Sequence, residues 1–294
     1  IGLLELDAND NKLKSLPNSI GSLSNLTRLL LFKNQLTKLP DTIGDLQNLE
    51  EFNAFNNKII RLPESIGKLA KVQELNLADN KLKTTPKLDG LRSCVRLALF
   101  NNNLVMLPPM KKLYAIEKLE LYRNALEDLP ELGEFENLEE MVFTNNRLKA
   151  LPANIHVYAN VGTIEASKNM ITEIPPTITQ LPKLWKLMLA ENQITKVPAD
   201  LWKLKLKTLD LSQNQLTEFP EKLDMCGTLT NLMIAKNLIT DIPQYMANPS
   251  TFPNLKRLQI DGNPIEWDTE QNVTVYAELA ERFPNLKDMK SGIV

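Results

Sequence analysis

Histidine occurs once in these 294 residues, cysteine twice and glycine ten times, and no apolar run approaches the length of a membrane-spanning helix. Each shortage removes a class of function. One histidine and two distant cysteines provide no metal-spaced set of nitrogen and sulfur ligands. The few glycines form neither a P-loop nor a G-x-G-x-x-G turn after a strand, so nothing cradles a nucleotide phosphate. With 34 basic and 36 acidic residues the net charge is −2, which gives no global basic field and no reason to expect nucleic acid. His156, with no cysteine or second histidine beside it, reads as a surface or partly packed side chain. Acidic pairs such as Glu50-Glu51 and Glu139-Glu140 fall at solvent-facing positions, whereas a catalytic dyad needs a cleft that excludes water. No active site, cofactor or metal is read.

One pattern fills the chain instead. The stretch 26–40, LTRLLLFKNQLTKLP, has the form L-x-x-L-x-L-x-x-N-x-L-x-x-L-P. Its asparagine returns at Asn11, Asn34, Asn57, Asn80, Asn102, Asn124, Asn146, Asn169, Asn192, Asn214, Asn237 and Asn263. The steps are 23 or 22 residues, with a last step of 26. This is the leucine-rich-repeat signature. A single repeat has nothing to pack its apolar side chains against, whereas stacked repeats bury them in one continuous core. The L-x-L segment alternates with period two, which predicts a short strand with its leucines inward. Strands of successive repeats pair in parallel at about 4.8 Å per step. The asparagine stands where the chain leaves the strand, placed to satisfy backbone groups of its own and the adjacent repeat. The proline opens a return segment on the convex side, in which Gly44 and Gly67 are read as tight-turn residues.

The expected fold is therefore an α/β leucine-rich-repeat solenoid: a curved arc with a parallel concave β-sheet, about twelve repeats and a C-terminal helical cap. Residues 1–265 form the solenoid and 266–294 the cap. Three successive 22-residue steps from Asn80 to Asn146 carry altered return segments and should change the outer side there. In the cap, 275–283 has helical spacing with Val275, Leu279 and Phe283 on one face; Pro284 ends the helix and Leu286 and Met289 fold back. Asn272-Val-Thr274 matches the glycosylation triplet, which is too common to carry weight. Cys94 occupies a leucine position and should be buried; Cys226, six repeats away on the convex side, is too far for a disulfide. Neither end carries a cysteine-bearing cap, so a reducing, cytoplasmic setting is expected. Ile1 opens in mid-repeat without a methionine, as in a chain cut from something longer.

The repeats resemble the intracellular leucine-rich-repeat family that includes the Ras-pathway scaffold, the LAP-type polarity scaffolds and the plant Ras-group proteins. The motif LPxxIGxLxxL carries the likeness, at Leu16-Pro17…Ile20-Gly21…Leu23…Leu26, Leu39-Pro40…Ile43-Gly44…Leu46…Leu49 and Leu62-Pro63…Ile66-Gly67…Leu69. The tail, Asn263-Pro264…Tyr276…Phe283-Pro284-Asn285-Leu286…Met289, is similar to the short, cysteine-free cap of phosphatase-regulating and axonemal dynein leucine-rich-repeat proteins. It departs at Lys287-Asp288-Met289, where that cap usually continues with aspartate-glycine. The resemblance implies protein–protein scaffolding in the cytoplasm and leaves the partner open.

Partner information lies in the variable positions. Counted from the first leucine of the frame, positions three, five, seven and eight face the concave surface. Position seven reads Asn9, Phe32, Phe55, Ala78, Phe100, Tyr122, Thr144, Ser167, Ala190, Ser212, Ala235 and Asp261. Its first half carries four aromatics and its second half is small or polar. The row Phe32 to Tyr122 should span roughly 20 Å, with an open depression at Ala78 between Phe55 and Phe100. Leu30 adds to the patch, and Arg28, Arg96 and Lys118 rim it beside Glu51, Glu74 and Glu120. A contiguous exposed aromatic row marks a binding site; rings lying flat over neighbouring strands are the alternative. Met188 and Met233, separated by Asp210, form a weaker patch. The expected function is a non-catalytic scaffold that binds a protein partner on the concave face, with no nucleic acid, no membrane span and a monomeric state. A structural part of a cytoskeletal or ciliary assembly, or the recognition domain of a larger receptor or enzyme, are the rivals.

Overall fold

The computed structural model describes residues 2–133, 135–248 and 250–283. The chain divides between Leu148 and Lys149 into two compact units. The first contains seven parallel strands in chain order: β1 Glu5–Asp7, β2 Arg28–Leu30, β3 Glu51–Asn53, β4 Glu74–Asn76, β5 Arg96–Ala98, β6 Lys118–Glu120 and β7 Glu140–Val142. The second contains β8 Thr163–Glu165, β9 Lys186–Met188, β10 Thr208–Asp210, β11 Asn231–Met233 and β12 Arg257–Gln259, also parallel. Every strand is three residues long, and from β2 on its middle residue, among them Leu29, Phe52, Leu75, Leu97 and Leu119, is buried. This is the leucine-rich-repeat solenoid that the asparagine frame predicts.

The asparagines act as expected. Asn57 Oδ1 accepts from the Leu36 N–H at 3.0 Å, and its Nδ2 donates to the carbonyls of Leu31, Ala54 and Phe55 at 2.9, 3.1 and 3.3 Å. One amide thus satisfies backbone groups of two repeats, a requirement for polar groups inside a stacked core. Asn80, Asn102, Asn124, Asn214 and Asn237 repeat the arrangement.

A second column was not foreseen. The residue before each ladder asparagine has positive φ: 52° at Lys33, 53° at Asn56, 52° at Asp79, 53° at Arg123 and 70° at Gly262, with the other repeats alike. Left-handed backbone costs about 1–2 kcal/mol for a non-glycine residue. The turn persists because hydrogen bonds on both sides determine it: Lys33 N–H donates to the Phe55 carbonyl and Asn56 N–H to that of Ala78. The ladder thereby extends beyond the strands and holds position seven in register.

On the return side of the first unit, Pro17, Pro40 and Pro63, with φ of −71°, −71° and −70°, precede 3-10 helices at Asn18–Ser22, Asp41–Asp45 and Glu64–Lys68. Gly44 lies in a tight turn, as expected, within the 3-10 segment Asp41–Asp45, but what requires glycine there is the neighbouring return segment. A Cβ there would lie 2.3 Å from the Ser65 carbonyl oxygen, and one at Gly90 would lie 1.8 Å from that of Gly67. These glycines let successive return segments touch. In the three successive 22-residue steps from Asn80 to Asn146, no 3-10 helix forms among the described residues, and Met110 instead bridges Leu132 in parallel.

The last element among the described residues of the second unit is helix α1, Glu270–Arg282. It starts five residues earlier than its apolar spacing implies, because Thr269 Oγ1 caps it by accepting from the Asn272 N–H. Its first turn is mostly polar and so escapes a periodicity argument. Val275 and Leu279 are buried, and Phe283 closes the helix as its C-cap. Asn272 is fully buried: it accepts from Ile242 N–H and donates to the carbonyls of Glu266 and Thr240. Asn263 keeps the ladder role at the last repeat, and Asn272 adds a second buried amide beyond it, where the folded chain has no room for a glycan. Pro284, Leu286 and Met289 lie outside the described residues.

Candidate partner-binding site

The site lies in the first unit and starts from backbone register. The carbonyls of Phe32, Phe55, Ala78, Phe100 and Tyr122 each accept from the position-eight N–H of the preceding repeat, which lines the five residues up. Position-five side chains brace this line: Asn53 Oδ1 accepts from Phe55 N–H at 3.0 Å and Asn76 Oδ1 from Ala78 N–H at 3.1 Å. Phe100 and Tyr122, on adjacent repeats, stack at 4.4 Å with planes 7° apart, close to the strand spacing itself. Phe55 and Phe100 are two repeats apart, yet their centroids are only 6.4 Å apart at 50°. The two rings lean together over the intervening repeat. All four aromatics are half-buried, so one edge or face of each meets solvent.

Two expectations need correction. Ala78 is 0% exposed: the rings of Phe55 and Phe100 close the space above it, and no depression opens there. Leu30, at 8%, is buried and adds little to the surface. The rim is mixed in sign, as its residues imply, and its cations are paired. Arg28 Nε donates to Glu51 at 2.8 Å and its Nη1 to Glu5 at 2.9 Å; Arg96 donates to the buried Glu120 at 2.8 Å and Lys118 to Glu140 at 2.7 Å. The hydrogen bond to Glu51 raises the Arg28 pKa, as those to Glu120 and Glu140 raise the pKa values of Arg96 and Lys118. Position three carries both signs along the strands, in the order Glu5, Arg28, Glu51, Glu74, Arg96, Lys118 and Glu140, and each of its cations pairs with a carboxylate of an adjacent repeat.

What opens instead is one column over. A hollow of about 100 Å³ lies among Asn53, Asn76 and Ala98, edged by Glu51, Glu74 and Arg96. Its signal was in the sequence: position five shrinks to Asn, Asn and Ala in three successive repeats, between Leu30 and Glu120. Glu74 at its edge forms no ion pair among the described residues. Along the row, burial raises the Tyr122 phenol pKa, and burial also raises that of the Asp79 carboxyl, which accepts from Asn101 Nδ2. The arrangement is a stacked aromatic shelf, a small polar-walled hollow and one unpaired carboxylate. In the second unit Met233 is buried and Asp210 Oδ1 accepts from Ser212 N–H, so that patch presents little apolar area.

A family profile described as Leucine rich repeat matches residues 160–216. Among solved structures, a leucine-rich-repeat protein of Leptospira interrogans is 29% identical over 96% of this chain and 82% of its own, with a TM-score of 0.70. The plant peptide hormone receptor RGFR1, solved in complex with RGF2, is 27% identical over 89% of this chain and 44% of its own, with a TM-score of 0.75. YopM from Yersinia enterocolitica is 26% identical over 89% of this chain and 56% of its own, with a TM-score of 0.68. No curated protein matches the chain in sequence. The repeat frame, the strand geometry of both units and these likenesses agree that the chain is built of leucine-rich repeats.

Proposed function

We propose that the chain is a non-catalytic, cytoplasmic interaction scaffold whose first unit binds a protein partner on its concave strand face. The observation that carries this is the half-exposed stack Phe55–Phe100–Tyr122 beside the hollow at Asn53, Asn76 and Ala98. Aromatic side chains already fixed by ring contacts lose little freedom on binding, which suits them to anchor a partner. The partner presents a small side chain to the hollow and a cation to Glu74. Two unpaired, buried cysteines support a reducing compartment. The test is retrieval of binding proteins from native lysate, followed by titration of each purified candidate against wild type and Phe100→Ala. A loss of about 2 kcal/mol, near 30-fold, is expected. Binding within about twofold of wild type would move the site elsewhere. A second reading, recognition region of a longer receptor, draws on the likeness to the plant hormone receptor, of whose chain this one covers 44%.

A further inference from the structure

The same frame orders the segment that follows each strand. At positions ten, twelve and thirteen, the first repeat carries Lys12 and Lys14, the second Lys38, the third Lys58 and Arg61, and the fourth Lys81 and Lys83. No acidic residue occupies these positions in the first five repeats. The buried residue between them, Leu36, Ile59 or Leu82, points into the core, so its neighbours point out. All seven cations are exposed, and none forms an ion pair among the described residues. The contrast with the strand face of the same unit is direct, since Arg28, Arg96 and Lys118 are all paired there. In the second unit the equivalent position thirteen reads Glu173, Lys196, Glu218 and Asp241.

The cationic segments are held in order. Gln35 N–H donates to the Leu13 carbonyl, Lys58 N–H to Leu36, Lys81 N–H to Ile59 and Asn103 N–H to Leu82, at 2.8–2.9 Å. The charges therefore recur at about the strand spacing of 4.8 Å, well inside a Debye length of about 8 Å, and reinforce one another. Beside them runs an open groove of about 690 Å³, lined by Lys38 and Arg61 on the cationic segment, by Pro40 and Pro63, and by Asp41 and Glu64 where the return helices begin. Ile60, Val105 and Met106, exposed by 57%, 51% and 66%, stand at the same positions of the third and fifth repeats.

We propose that this flank binds an extended acidic peptide segment of a partner protein, with its carboxylates on Lys38 and Arg61 and its apolar side chains on Ile60, Val105 and Met106. A narrow chain can follow the cationic wall and keep away from Asp41 and Glu64, whereas a flat anionic bilayer would meet those carboxylates too. Nucleic acid fits less well, because the exposed large side chains of the flank are aliphatic and give bases nothing to stack on. In an extended peptide alternate side chains point to opposite sides, so glutamates at every second position face the cations together.

The probe is a labelled synthetic peptide of about eight residues, alternating glutamate with leucine or serine, long enough at about 3.3 Å per residue to cross five repeats. Anisotropy titrations should show binding to wild type that weakens at least about tenfold in Lys38→Glu/Arg61→Glu and falls with added salt. Lys196→Glu and Phe55→Ala/Phe100→Ala should bind the peptide as wild type does, which separates this surface from the aromatic shelf. Should charge reversal disturb folding, Lys38→Gln/Arg61→Gln provides the same reading with a smaller loss. The proposal is overturned if the peptide fails to bind, or binds the double variant equally. It is also overturned if phosphatidylserine vesicles or a single-stranded oligonucleotide bind more tightly through the same residues.

Discussion

Replacing Asn124 by alanine removes four hydrogen bonds, but only one loss is decisive. Asn124 Nδ2 donates to the carbonyls of Leu99, Leu121 and Tyr122 at 3.0, 2.9 and 3.3 Å. Each of those oxygens keeps another donor: Asn102 Nδ2 on Leu99, Asn146 Nδ2 on Leu121 and Asn101 N–H on Tyr122. The Leu104 N–H has no such substitute, because Asn124 Oδ1 accepts it at 3.0 Å. Leaving that donor unsatisfied costs about 1–3 kcal/mol. Asn124→Asp sharpens the reasoning. Its carboxylate still accepts from Leu104, but its second oxygen faces three carbonyls in place of a donor. At neutral pH it should therefore cost more than alanine, about 3 kcal/mol or more. Protonation restores a donor, so the folded-state pKa of the introduced acid is raised. The sign follows: the variant approaches wild type below the unfolded carboxyl value of about 4 and loses stability as pH rises through and above it. Urea denaturation of wild type, both variants and the exposed control Lys207→Ala, at two pH values, reads this directly. The control should lie within about 0.5 kcal/mol of wild type. If Asn124→Ala matched it, or if Asn124→Asp grew more stable with rising pH, the ladder account would be wrong.

Other outcomes follow from the same geometry. Gly44→Ala drives a Cβ into the Ser65 carbonyl, where backbone meets backbone, and should lower stability by about 1–3 kcal/mol in denaturant titration. Burial pushes the thiol of Cys94 up to about 12 and that of Cys226 up to about 11, so neither should react with a disulfide reagent near pH 8 until the protein is unfolded. Asn272→Ala orphans the Ile242 N–H beneath α1 and should raise amide exchange in 270–282 before it changes exchange in the first unit.

The repeat frame made most of the fold legible, because asparagine and leucine at fixed spacing admit few physical solutions. Asn57 and Leu36 meet where their columns place them. The left-handed residues at position eight left no such mark: Lys33, Asp79, Arg123 and Glu191 share no chemistry, and their conformation comes from the ladder around them. The aromatic row was legible as a column but not as a surface. Which way a phenylalanine leans is a matter of rotamer and neighbour, so the closure of Phe55 and Phe100 over Ala78 lay beyond the pattern. For the same reason an Ala78→Trp change meets a filled space and will disturb packing. The ion pairs at position three could be anticipated from alternating sign, Glu5, Arg28, Glu51, whereas the gap at Asn53, Asn76 and Ala98 required comparing column five across repeats.

The central claim, that the aromatic shelf is the partner site, is tested most directly by the affinity of a purified partner for Phe55→Ala/Phe100→Ala, measured beside Ser167→Ala/Ser212→Ala by calorimetric titration. The first pair unstacks the shelf and removes its apolar area, and should weaken binding by about 30-fold or more. The second pair alters the small half of the same column and should leave the affinity within about twofold. Equal affinities for the two double variants would show that the rings only pack over their own strands, and that partners bind elsewhere.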